Sequence, residues 1–105
     1  SASVELAALP MIEEAVTHVR AGIATGASTR NWESYGKDVD LPAACPEWQN
    51  KMVTDPQTSG GLLVACAPAS VEEVLAAFRG DGFERAAVIG RFAAAGGVSP
   101  RLTFT

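Results

Sequence analysis

Histidine occurs once and cysteine twice in the 105 residues, and no CxxC pair is present. A structural zinc site needs about four nitrogen or sulfur ligands, so these residues do not supply one, and no metal ligand is expected. Cys66 falls in an apolar run and reads as a small buried hydrophobe. Cys45 lies in a loop-like stretch and reads as a free thiol, which fits a reducing cytoplasm. Basic residues are also few: 8 Lys and Arg stand against 12 Asp and Glu, for a net charge of −4. No two basic residues adjoin, so there is no clustered cationic face, which argues against a nucleic-acid partner. Long hydrophobic runs are missing. The longest, Leu62 to Pro68, is far short of the roughly 20 residues that cross a bilayer, and no membrane partner is expected. No basic segment followed by an apolar core opens the chain, hence no signal peptide is expected. There is no initiator methionine either. The chain opens almost directly on a strand pattern, as a piece of something longer does.

What is present is the composition of one water-soluble globular domain, 48% hydrophobic and 19% charged. A chain of this size buries roughly two-thirds of the surface its unfolded form exposes, so one contiguous core is expected. Ala2, Val4 and Leu6 alternate with Ser3, Glu5 and Ala7, which predicts a strand ending near Leu9. Pro10 suits the first position of a helix running to Gly22, with Met11, Ala15 and Val19 on its apolar stripe. Glu13 and Glu14 in its first turn, and His18 and Arg20 in its last, agree with the helix dipole. Residues 22–45 show no sustained period and are rich in Gly, Ser, Thr, Asp and Asn. They read as a long functional or mobile loop, pinned to the body by Trp32 and Tyr35. A short helix is expected from Pro42 to Asn50.

"LLVACA" then reads as a central strand, apolar on both faces. Ser70-Val71-Glu72-Glu73 has the form of a capping box opening a helix that Gly80 closes, with Val71, Val74, Leu75 and Phe78 facing the core. A strand from Phe83 to Phe92, a connection over "AAAGGVSP" and a final edge strand "RLTFT" complete the chain. The order predicts an α+β fold (an α/β sandwich): a mixed sheet of four to five strands with helices packed on it.

Two polar stretches interrupt this pattern. In "DPQTSGG", Thr58, Ser59 and the amides of Gly60 and Gly61 suit an anion-binding nest, with the glycines free to take φ > 0. Asp55 before Pro56 suits the start of a turn, its carboxylate accepting backbone N–H groups. Composition alone favours a plain turn between strands here. A P-loop is excluded, since the GxxxxGK[ST] pattern is missing. In "TGASTRNW", Thr29, Arg30 and Asn31 suit phosphate oxygens, though a solvated loop accounts for them as simply. Nothing pairs a nucleophile with a base, or one carboxylate with another for acid–base work. This chain does not read as a complete enzyme.

"DPQTSGGLL" nevertheless closely resembles the signature of the C-terminal domain of selenophosphate synthetase (selenide, water dikinase), and "TRNWESYG" resembles a second stretch of that family. The preceding strand and helix, with "AAVIGRF" and "GGVSPRLTF" afterwards, follow the same layout, so the resemblance covers nearly the whole chain. It implies a fold like the C-terminal domain of aminoimidazole ribonucleotide synthetase, with residues 1–105 as a single C-terminal domain beside an ATP-binding N-terminal domain. It also implies an enzyme that makes selenophosphate, AMP and phosphate from ATP, selenide and water, as a homodimer using ATP and Mg. The family's reactive Cys or selenocysteine, its lysine and its magnesium-binding aspartates lie in its N-terminal part. No position of this sequence matches them, and Asp38 and Asp55 are not assigned as metal ligands. On this resemblance no catalytic residue is expected here. Thr29, Arg30, Asn31, Asp55, Thr58, Ser59, Gly60 and Gly61 would line one wall of the cleft, close to nucleotide phosphates. Two alternatives stay open: the same domain of another ATP-dependent synthetase or kinase of this fold family, and a stand-alone ligand-binding module.

Overall fold

The computed structural model of the chain describes residues 1–94 and 101–105. Its first segment is a strand, β1 (Ala2–Val4), followed by a 3-10 turn at Leu6–Ala8 and helix α1 (Glu13–Arg20). Helix α2 (Gly26–Tyr35), a second 3-10 turn at Gly36–Asp38 and the two-residue strand β2 (Val39–Asp40) come next. Helix α3 (Glu47–Val53) precedes the glycine doublet. After it come a 3-10 turn at Pro68–Ser70, helix α4 (Val71–Gly80), and strands β3 (Gly90–Phe92) and β4 (Leu102–Phe104).

The four strands form one mixed sheet in the order β2-β4-β1-β3, as the α+β reading expects. β1 lies inside it, parallel to β4 (Val4 opposite Phe104) and antiparallel to β3 (Val4 opposite Gly90). β2 pairs in parallel with β4 through Val39 and Leu102. Leu6, directly after β1, is 8% exposed and is the one buried hydrophobic side chain among the described residues. Its N–H donates to the carbonyl of Thr105 at 2.9 Å, so the two ends of the chain close over the sheet together.

Both longer amphipathic helices end in the same way. Gly22 (φ +86°) and Gly82 (φ +90°) take the left-handed conformation just past α1 and α4. The next residue then reaches back to the third-last helical carbonyl: Ile23 N to His18 O at 3.0 Å, and Phe83 N to Phe78 O at 2.9 Å. This is the Schellman arrangement, completed at α4 by an edge-on contact of Phe78 and Phe83 at 6.2 Å. The glycine that terminates α4 is therefore Gly82 and not Gly80.

Several expectations are corrected. β1 stops at Val4 rather than near Leu9, α1 starts at Glu13 rather than at Pro10, and the short helix expected from Pro42 to Asn50 is Glu47–Val53. Residues 26–35 are helical rather than loop, because α2 buries its face with small and polar groups: Ser28 is 1% exposed, Asn31 and Trp32 are half-buried, and no apolar period announces them. "LLVACA" is not a strand. Both flanks of β1 are taken by β3 and β4, so the run has no central slot, and Leu62, Leu63 and Cys66 are exposed. Cys66 is thus no buried hydrophobe. The Ser70 hydroxyl makes no cap bond, because the 3-10 turn runs straight into α4 and leaves Ser70 itself in helical φ/ψ (−97°, −1°). The strand foreseen from Phe83 is cut to Gly90–Phe92, since the chain turns at Phe83, where Ala86 N donates to Phe83 O. The connection foreseen at 93–100 falls mostly on residues 95–100, outside those described.

Candidate functional site

The two polar motifs meet where α2 crosses α3. Asn31 Nδ2, in the middle of α2, donates to the backbone carbonyl of Thr54 at 2.8 Å. Thr54 is 3% exposed and follows the last turn of α3. Its own hydroxyl donates to the carbonyl of Asn50 at 2.8 Å, which closes that turn from within. One side-chain amide thereby fixes the start of Asp55-Pro56-Gln57-Thr58-Ser59-Gly60-Gly61 against the helix that carries Thr29 and Arg30.

A shallow cavity of ≈ 220 Å³ opens beside this clamp, lined by Ser28, Thr29, Trp32, Asn50, Lys51 and Thr54 together with Glu47. Ser28 forms its floor, with Oγ 3.4 Å from the Thr25 hydroxyl and its N–H bonded to the Thr25 carbonyl at 3.1 Å. Lys51 ion-pairs with Glu47 across one helical turn at 2.8 Å. The hydrogen bond and positive charge of Lys51 hold the Glu47 carboxyl below the usual carboxylate range. Next to this pair on α3, the Arg20 guanidinium lies 4.3 Å over the Trp48 ring and helps dock α1 onto α3.

The structure separates the sequence candidates into three groups. Thr29 lines the cavity, and Arg30 folds back along α2, its Nη1 3.6 Å from where a Cβ on Gly26 would stand. Both are exposed. Asn31 is spent on Thr54 and is a clamp rather than a free ligand. Asp55 is half-buried, and among the described residues its carboxylate accepts no hydrogen bond, so the turn it was expected to cap is held by the Asp55 N–H to Met52 O bond at 3.4 Å. Thr58, Ser59, Gly60 and Gly61 are exposed, an outward-facing shelf. Neither glycine takes positive φ, so no left-handed nest is formed. A Cβ at Gly60 would meet the Oε1 end of the exposed Gln57 side chain at 2.8 Å, a contact that rotation of that side chain relieves, and its Cβ at 3.2 Å.

Sequence reasoning missed Ser28, Trp32, Asn50, Lys51 and Thr54. Ser28, Asn31, Trp32 and Tyr35 stand three or four apart, a helical spacing written in polar and aromatic residues, and that spacing was the available signal. No cluster of three or more His, Cys, Asp or Glu side chains placed to hold a metal ion occurs among the described residues. No helix among them is long and apolar enough to cross a membrane.

Residues 2–103 match the family model described as AIR synthase related protein, C-terminal domain. Among curated proteins the chain is similar to the selenide, water dikinase of Paraburkholderia xenovorans, 57% identical over 90 residues that make up 86% of this chain and 25% of that protein. The selenide, water dikinase of Burkholderia cenocepacia is 54% identical over 93 residues, 89% of this chain and 26% of its own length. That of Rhizobium meliloti is 46% identical over 94 residues, 90% of this chain and 27% of its own. The chain thus spans about a quarter of the length of each.

Proposed function

The chain belongs to the family of AIR synthase related proteins, as their C-terminal domain, and from that premise we propose that it is the C-terminal domain of a selenide, water dikinase. The whole enzyme would form selenophosphate, AMP and phosphate from ATP, selenide and water, as a cytoplasmic homodimer in which an N-terminal domain binds most of the nucleotide. The observation that carries this reading is the 57% identity over 86% of the chain to a protein of that name. Two free cysteines, one of them exposed, suit a reducing compartment.

The domain's share of the work is one wall of the cleft. Thr29 and Lys51 beside the cavity, Arg30 over the first turn of α2, and the exposed amides of residues 58–61 are all donors. Such a set fits phosphate oxygens: hydroxyl, guanidinium, ammonium and N–H groups each stabilise negative charge, most strongly once a facing domain excludes water. It does not fit a divalent cation, which asks for several oxygen ligands. Magnesium, where it serves the reaction, would be held by the remainder of the enzyme, and no step is assigned to it here. The clamp from Asn31 to Thr54 sets the distance between the two donor groups.

A chimaera tests this. The matched quarter of the Paraburkholderia xenovorans enzyme is replaced by this chain, and AMP release from ATP is followed with and without selenide. Selenide-dependent AMP from the chimaera is expected, with none from the 105-residue chain alone, and Arg30→Ala in the chimaera should lower the rate. A folded chimaera without AMP formation, or turnover by the isolated chain, would overturn the reading.

A further inference from the structure

Lys51 is the one cation among the residues that line the cavity beside the Asn31–Thr54 clamp, and Glu47 is the one anion. The two are paired at 2.8 Å across one turn of α3. Their charges cancel, so this wall offers hydroxyl and amide groups but no net positive charge to a phosphate. A donor set that suits phosphate oxygens is therefore masked by a group of its own helix.

The two partners are not equally held. The Lys51 side chain is 32% exposed and that of Glu47 81%. The lysine is thus largely enclosed by the wall it lines, while the carboxylate stands mostly in water. Both also line a second cavity, of ≈ 250 Å³, together with Val19, Arg20, Gly22 and Trp48. The ion pair is the partition between the two cavities. Glu47 can leave Lys51 towards the second, where Arg20 is another cation, without crossing the first. An ion pair this exposed is a weak tie. A di- or triphosphate, with several charges and acceptor oxygens, outbids a single carboxylate for an ammonium group.

Resting on the reading of this cavity as a phosphate-facing wall, we infer that Glu47 is a displaceable counter-ion, which holds the Lys51 ammonium at the empty cavity and yields it to an entering di- or triphosphate. Glu47 is a positioning residue in this scheme: it touches Lys51 and never the phosphate. Its presence has two opposed effects. It keeps the lysine side chain extended along α3 towards the cavity, and it repels the anion that the lysine is to receive. Because the carboxylate is screened by water and the lysine is enclosed, the repulsion outweighs the ordering.

Pyrophosphate titrated into the 105-residue chain at low ionic strength, followed by nuclear magnetic resonance, tests this. The amides of Thr29 and Lys51 and the Glu47 side-chain carboxyl should shift together, with one dissociation constant. Glu47→Gln, which changes an exposed side chain and should leave the circular dichroism spectrum unaltered, should bind pyrophosphate about three- to tenfold more tightly, the effect of removing one negative charge a few ångströms from the anion in water. That gain should fade as salt is raised to about 0.2 M. Lys51→Met should weaken binding roughly tenfold, the loss of one charge-assisted contact. Equal or weaker binding by Glu47→Gln would overturn the inference. So would a Glu47 carboxyl that stays still while Thr29 and Lys51 shift, or an absence of binding by both the parent chain and Glu47→Gln. Selenide-dependent AMP formation by the chimaera is decided separately, since it does not require the isolated domain to bind phosphate.

Discussion

Asn31 and Thr54, from two different helical segments, are joined by a 2.8 Å hydrogen bond from the Asn31 amide to the Thr54 carbonyl, and through it the two glycine- and hydroxyl-rich motifs share one frame. The carbonyl belongs to a residue 3% exposed. Asn31→Ala leaves it without that partner and should cost about 1–2 kcal/mol, the usual penalty for an orphaned buried acceptor. Asn31→Asp should cost more, because a carboxylate oxygen would then face a carbonyl oxygen. Urea unfolding midpoints of the two variants decide this. Equal stability of all three proteins would mean that the bond holds nothing.

Gly36 stands at the end of α2 with φ −56° and ψ −26°, a conformation open to any residue. It is glycine for another reason: a Cβ there would lie 2.9 Å from the Trp32 ring. Gly36→Ala should therefore displace the indole that walls the cavity and cost about 1–3 kcal/mol, as overpacking does. In a Trp48→Phe background, Trp32 fluorescence should shift. An unmoved spectrum with unchanged stability would show that the ring has room to spare.

These two residues mark how far the sequence could be read. Of the elements announced by pattern, α4 lies where Val71, Val74, Leu75 and Phe78 put it, while α1 begins only at Glu13, past Pro10 and Met11, β1 stops at Val4 instead of near Leu9, and β4 keeps Leu102–Phe104. α2 was hidden because its inward side is Ser28, Asn31 and Trp32, and hydropathy does not register a face packed through hydroxyl and amide groups. The opposite error befell Leu62–Ala67. Its composition is that of a buried strand, but a strand is a property of a pair, and no partner for it is visible in one chain's sequence. Thr29 and Arg30 were singled out by chemistry, and of the two Thr29 lines the cavity. Thr54 and Lys51 were not, since only the crossing of α2 and α3 places them there.

The Glu47–Lys51 pair gives a pH prediction of small amplitude. The Glu47 carboxyl in the folded chain titrates below its ordinary value, because Lys51 donates to it and carries the opposite charge. Its contribution to stability is thus present above the ordinary glutamate range, and is lost as the pH falls through the lower folded-state value. Glu47 is largely exposed, so solvent screens the pair and the loss should be slight. A nuclear magnetic resonance titration of the Glu47 carboxyl should show the depressed midpoint, and Lys51→Met should return it to the normal range. A midpoint indifferent to Lys51→Met would disprove the assignment.

Two glycines should respond in opposite ways to the same substitution. At Gly90, opposite Val4 in the β1–β3 pair, a Cβ would run into the Ser3 carbonyl oxygen and approach the Val4 Cα at 3.0 Å. Both neighbours are backbone and cannot swing aside, so Gly90→Ala must push β3 off β1 and should cost about 1–3 kcal/mol. The amides of Glu5 and Ala93, which donate to Ile89 and Ser1 across that pair, should then exchange faster with solvent. At Gly61 a methyl group would meet nothing within 4 Å, and φ is not positive. Gly61→Ala should accordingly be neutral, or stabilise by up to about 1 kcal/mol by restricting the unfolded chain. If Gly90→Ala left both amides as protected as before, the β1–β3 register would be wrong.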